Sequence, residues 1–113
     1  MEAFSLSKHN RISTKKLRRV TQAVSHLDYP TARGILSNLP QKGARIMEKT
    51  LMSAGANLLF KEPSSNEEDW VIKEIIVNQG PAFKRVRPRA RGKADRVSRP
   101  TTHLKVIVAE KGE

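Results

Sequence analysis

Arg85, Arg87, Arg89, Arg91 and Lys93 occupy every second position, so an extended backbone through them throws all five cations to one side. The alternate positions, Val86, Pro88, Ala90, Gly92 and Ala94, are small or uncharged. From Lys84 to Arg99 the chain carries eight Lys or Arg, six of them Arg, against the single acid Asp95. Guanidinium groups clamp phosphate through two parallel hydrogen bonds and stack on bases, whereas an ammonium acts as a point charge. An arginine-rich stripe of this kind is chemistry for structured nucleic acid. A second cationic surface is predicted upstream, where Arg11 precedes a helix that carries Lys15, Arg18 and Arg19 on one face.

The charge is placed as well as abundant. Of a net +11, residues 1–40 carry +5, residues 41–80 carry −1 and residues 81–113 carry +7. A neutral middle that packs, flanked by cationic ends that meet a polyanion, accounts for that distribution. At 113 residues the chain has room for one modest core and one domain. With no cysteine, it has no disulfide framework, no thiolate metal site and no cysteine nucleophile. It contains no run of ~18 apolar residues, and Met1–Phe4 lack the basic and apolar regions of a secretion signal, which predicts a soluble, unsecreted chain without a membrane partner.

Catalytic patterns are missing. His9, His26 and His103 stand alone in sequence, and neither a phosphate-binding glycine loop nor a paired-histidine metal motif is present, so no catalytic residue, metal ligand or cofactor is expected. Two competing readings remain open on residues alone. One is a nucleoid-type protein that compacts DNA, and the other is an RNA-processing enzyme that uses two of the histidines. RNA is favoured because the chain lacks helix-turn-helix, zinc-finger and basic-zipper signatures, and an extended arm suits the crevices of folded RNA. Only five aromatics are present, which predicts no stacking platform for single strands.

The elements that must position these cations are legible from periodicity. Phe4 and Leu6 alternate with small polar residues over Ala3–Ser7, the pattern of a short half-buried strand. Ser13 precedes a helix whose packed face is Leu17, Val20, Val24 and Leu27. Tyr29-Pro30 is expected to interrupt it, with a second helix over Thr31–Asn38 whose apolar positions are Ala32, Ile35, Leu36 and Leu39, closed by Pro40. A third helix is predicted over Gln41–Phe60, with Ala44, Met47, Leu51, Ala54 and Leu58 in one stripe and Ala54, Gly55 and Ala56 favouring close packing. After a polar, acidic loop, Trp70–Val77 and Leu104–Val108 are β-branched runs that predict strands, with Trp70 in the core. The 26 residues between them, 78–103, are too many for an ordinary hairpin loop of ~2–5 residues, and Pro88 and Gly92 bracket the predicted reversal of an extended arm.

The string from Gly80 to Arg96, Gly-Pro-Ala-Phe-Lys-Arg-Val-Arg-Pro-Arg-Ala-Arg-Gly-Lys-Ala-Asp-Arg, followed by Thr101-Thr102-His103-Leu104, closely resembles the hallmark of bacterial-type large-subunit ribosomal protein number twenty-two. Arg11-Ile12-Ser13 with Lys16, Arg18 and Val20 resembles that family's opening helix, and Val71-Ile72-Lys73-Glu74 resembles the strand entering its hairpin. The resemblance implies an α+β fold of three helices on a small antiparallel three-stranded sheet, with a body of about 1–79 and 103–113 and a projecting β-hairpin of about 80–102. It implies binding to large-subunit rRNA, support of assembly, and a hairpin tip at Pro88, Arg89, Ala90, Arg91, Gly92 and Lys93 that lines the nascent-peptide exit tunnel. The implied RNA-binding set is Arg11, Lys15, Lys16, Arg18, Arg19, Lys84, Arg85, Arg87, Arg89, Arg91, Lys93, Arg96, Arg99 and His103. Phe83-Lys84-Arg85 corresponds to the stretch linked in the family to macrolide sensitivity. Implied partners are the rRNA, neighbouring large-subunit proteins and the nascent peptide, in a cytoplasmic ribosome, with an organellar one left open. Two departures stand out. Thr14 replaces a usual proline, and Pro100, in Ser98-Arg99-Pro100-Thr101-Thr102-His103, predicts a missing ladder bond or a bulge in the returning strand.

Overall fold

Three apolar stripes become helices and the β-branched runs become strands in a computed structural model that describes residues 2–88, 90–92 and 94–111. In chain order the elements are β1 (Glu2–Asn10), α1 (Thr14–Val24), α2 (Tyr29–Asn38), α3 (Lys42–Lys61), β2 (Trp70–Gln79), β3 (Phe83–Pro88), β4 (Ala94–Arg99) and β5 (Thr102–Glu110). β5 is the centre of an antiparallel sheet ordered β1-β5-β2, and β3 with β4 forms a separate two-stranded ribbon. The architecture is α+β: three helices on a three-stranded sheet, with a hairpin inserted between two sheet strands.

The helices depart from their expected ends for local reasons. Ser13 caps α1 by accepting from the Lys16 N–H at 3.3 Å, and Leu17, Val20 and Val24 are buried as expected. The helix stops at Val24, however, and His26 turns the chain in the left-handed region at φ 61°, so Leu27 is not helical. Leu27 packs on the core from a loop, and its carbonyl accepts from the Ile72 N–H at 3.1 Å. Helix α2 begins at Tyr29, two residues before the expected start, with Pro30 inside its first turn. A proline there forfeits no bond, because first-turn N–H groups have no intrahelical acceptor. The same rule makes Thr14 compatible with the family's proline: it is the first residue of α1.

The α3 stripe Ala44, Met47, Leu51, Ala54 and Leu58 is fully buried. Close approach is most acute at Gly55, where a Cβ would lie 2.5 Å from the Tyr29 hydroxyl oxygen. Tyr29 in turn packs edge-on against Trp70, with ring centroids 5.1 Å apart. Trp70 is 1% exposed, and its indole N–H donates to Ser65 Oγ, so the polar end of this large core residue is satisfied.

β1 presents the opposite face from the one predicted. Ala3 is buried and Ser5 and Ser7 are half-buried, whereas Phe4 is 53% and Leu6 47% exposed. The cause is α3, which packs directly on β1 and takes the small residues as its contact surface. Phe4 and Leu6 are left on the outer sheet face opposite Ile107 and Lys105, where the Lys105 ammonium sits 4.5 Å from the centre of the Phe4 ring.

Both free edges of the sheet are occupied by side chains and loops, the arrangement that blocks edge-to-edge association. On β1, Asn57 Nδ2 donates to the Phe4 carbonyl at 2.8 Å and Lys61 Nζ to the Glu2 carbonyl at 3.1 Å. On β2, Arg18 Nη2 donates to the Val77 carbonyl at 3.3 Å, beyond the Ile72 bond to Leu27. Glu2 also meets Lys73 Nζ at 2.5 Å, and that ammonium holds the Glu2 carboxyl below its ordinary pKa.

Candidate nucleic-acid interface

Between the sheet and the ribbon the ladder breaks at Pro100, as expected of a residue without an N–H. Residues 80–82 face 100–101 across a neck held by two other bonds: the Gly80 N–H donates to the Thr101 carbonyl at 2.9 Å, and Thr101 Oγ1 donates to the Pro81 carbonyl at 2.5 Å. Thr101 is buried, and a Cβ on Gly80 would come within 2.6 Å of its hydroxyl oxygen, so glycine is needed for this approach. Beyond the neck, β3 and β4 pair in register from Phe83 opposite Arg99 to Pro88 opposite Ala94. A six-residue ladder spans about 20 Å, and the molecule as a whole measures 65 × 25 × 17 Å. The reversal passes through Arg91 and Gly92, both left-handed at φ 63° and 73°.

The hairpin is therefore an extended ribbon, and the backbone of Arg85 and Arg87 on β3 and of Arg96 on β4 lies in its ladder. Lys84, Arg91 and Arg99 are exposed, as are Pro88, Ala90 and Gly92 of the expected tip. Arg89 and Lys93 lie outside the described residues. In the body, Arg11, Lys15, Lys16, Arg18 and Arg19 are all exposed, but Arg18 has the structural duty of bracing the β2 edge. His103 is half-buried rather than free at the surface: its Nδ1 accepts from the His9 N–H at 3.2 Å, and the two imidazoles meet edge to face with centroids 5.0 Å apart. Two histidines that are remote in sequence thus help close the neck.

The fold brings the two cationic segments together. A cleft of about 1130 Å³ runs between the start of α1, the start of α3 and the inner side of the ribbon. Arg11, Lys16 and Arg19 line it from one wall, Arg99, Phe83 and Val86 from the other, and among the described residues no acidic side chain contributes to the lining. The ion pairs among the described residues engage other cations, Arg33, Lys73 and Lys111. Lys15, Lys84 and Arg91 stand outside the cleft.

Lys42 is the functional candidate that sequence reasoning misses. It opens α3, lines the cleft and donates from Nζ to the Arg11 carbonyl at 2.8 Å, tying the segment before α1 to α3. Its only sequence signal is the lack of any acid in the first turn of a 20-residue helix, where acids are otherwise favoured. Phe83 is singled out in the sequence only within the Phe83-Lys84-Arg85 stretch, and not as a stacking surface. The low aromatic content predicts no stacking platform, yet this ring stands 48% exposed in the cleft.

A sequence model of the ribosomal protein L22p/L17e family matches residues 5–109. The chain is 42% identical over 113 residues to the large ribosomal subunit protein uL22 of Chloroflexus aggregans, a match that covers 100% of this chain and 99% of that one. It is 40% identical over 110 residues to the protein of the same name in Akkermansia muciniphila, covering 97% of each. With that of Salinibacter ruber it shares 40% over 114 residues, covering 100% of this chain and 94% of the relative. The chain belongs to the ribosomal protein L22p/L17e family, whose members are structural proteins of the large ribosomal subunit and not enzymes.

Proposed function

We propose that the chain binds large-subunit rRNA through the length of its basic hairpin and the cleft at the hairpin's base, supports subunit assembly by tying RNA segments to the body, and lines the peptide exit tunnel with residues 88–93. The observation that carries this reading is the meeting, in one cleft, of cationic side chains from the start of α1 and from the base of the hairpin. A rigid body at one end of a molecule 65 Å long suits a protein that anchors at the subunit surface and reaches inward. Neighbouring large-subunit proteins and the nascent peptide are the further partners, in the large subunit of the cytoplasmic ribosome.

The test is salt-dependent binding of the purified chain to deproteinised large-subunit rRNA. Neutralisation of about eight phosphates gives a log–log slope of roughly −5 to −6 with single-strand-like counterion release. A slope near −1, or a preference for duplex DNA in competition, overturns the reading. For the tunnel, a photoreactive group placed at Arg91 is expected to label a stalled nascent chain in assembled subunits.

A further inference from the structure

The cleft holds more than charge. Phe83 and Arg99 are direct partners across the β3–β4 ladder, which puts an aromatic ring and a guanidinium side by side on one face of the ribbon. Val86, 68% exposed, and Pro88 also line the cleft, from the alternate positions of β3 that belong to the other face of the ribbon. On the facing wall stand Lys16, Arg19 and Lys42. One wall therefore offers flat apolar and planar cationic surface, and the other offers phosphate-binding charge.

A phosphate backbone alone needs only the second wall. Double-helical RNA leaves the Phe83 ring without a partner, because its base faces are stacked inside and only sugar, phosphate and base edges are presented outside. An unpaired nucleotide satisfies both walls at once, since its base stacks on an aromatic or an Arg plane while its phosphates meet Lys and Arg. The size of the cleft agrees: about 1130 Å³ exceeds the ~300–1,000 Å³ of small-molecule pockets and admits a turn of polymer with one base extruded.

We infer that the cleft between α1 and the hairpin base captures a single unstacked nucleotide of the folded RNA, its base against Phe83 and Arg99 and its flanking phosphates against Lys16, Arg19 and Lys42. This inference rests on the rRNA-binding reading above and deepens it, because it separates a base-stacking contact at the hairpin base from the charge contacts along the arm. The neck, held by Gly80 and Thr101, is what keeps the two walls facing each other.

The experiment measures binding of the full chain and its variants to deproteinised large-subunit rRNA over a salt series, with ultraviolet cross-linking mapped to the nucleotide. Phe83→Ala is expected to weaken binding about tenfold with no change in salt slope, because stacking releases no counterion, and Phe83→Tyr to bind as the parent does. Lys42→Gln is expected to flatten the slope by about 0.7, and the adduct at residue 83 is expected on an unpaired nucleotide. Phe83→Ala binding equal to the parent's, or an adduct at residue 83 on a base-paired nucleotide or a neighbouring protein, overturns the inference while the steep slope of the parent still upholds the rRNA reading. A parent chain without steep rRNA binding overturns both. Phe83 is half exposed on the ribbon, and an unchanged far-ultraviolet dichroism melt checks that its variants stay folded.

Discussion

The body and the hairpin are built from the same chain by opposite rules. In the body, apolar stripes from α1, α2 and α3 close over the inner sheet face around Leu17, Met47, Leu51, Trp70 and Val106, all buried, and both sheet edges are occupied. In the hairpin, β3 and β4 pair with each other, and the described side chains Lys84, Val86, Ser98 and Arg99 are all exposed. A two-stranded ribbon of this kind is marginal by itself in water. The body thus owes its shape to burial, whereas the hairpin owes its own to ladder bonds, to the neck and, on the reading proposed here, to the RNA that neutralises it. The contrast predicts that affinity and stability can be broken separately.

The largest effect is expected from the hairpin. Replacing Arg85, Arg87, Arg91 and Arg96 together with Gln should lower affinity for large-subunit rRNA by two to three orders of magnitude near 0.1 M salt, by ~0.7 of slope per lost contact. Filter binding measures it, and the thermal melt of the free variant should match the parent's. A comparable loss of melting temperature would show that the hairpin is part of the cooperative unit and erase the distinction. Next comes the core: Leu51→Ala should destabilise the chain by about 2–5 kcal/mol in urea unfolding, because Leu51 is fully buried and its cavity cannot collapse between α3 and the sheet.

A finer probe of the body is Gly55→Ala. Removing a helical glycine favours α3 by about 1 kcal/mol, but the new methyl meets the Tyr29 ring, and overpacking of a fixed core costs about 1–3 kcal/mol. The clash should win, with a lower urea midpoint and a blunted near-ultraviolet signal from Tyr29 and Trp70. The smallest expected change is of the other sign. Thr14→Pro places proline at the first position of α1, where it restricts the unfolded chain, and should raise stability by about 0.4–1 kcal/mol without altering rRNA affinity. A loss of stability there would mean that the Thr14 side chain has a role beyond filling the first helical position.

Much of the body was legible because periodicity reports local geometry. The α3 stripe, the packed face of α1 as far as Val24, and the buried Trp70 follow from the spacing of apolar residues alone. The failures share one cause. Leu27 continues the helical spacing of α1 but lies beyond a turn made by His26, and Phe4 and Leu6 alternate correctly on the wrong face. Period two says that one face of β1 is buried; only the arrival of α3, with its preference for Ala3, Ser5 and Ser7, says which.

The same division runs through the candidate site. Alternating Arg and Lys report an extended backbone, since strand geometry acts between near neighbours, and the backbone of Arg85 and Arg87 is in β3; the alternation does not run on through the reversal, where Arg91 is left-handed at φ 63°. Lys42 becomes a site residue, and Phe83 a candidate stacking surface, only when the tertiary structure sets the start of α3 and the base of the hairpin across one cleft. That cleft depends on how the starts of α1 and α3 and the ribbon beyond the neck are set against one another, and distances set by packing between remote segments leave no local pattern to read.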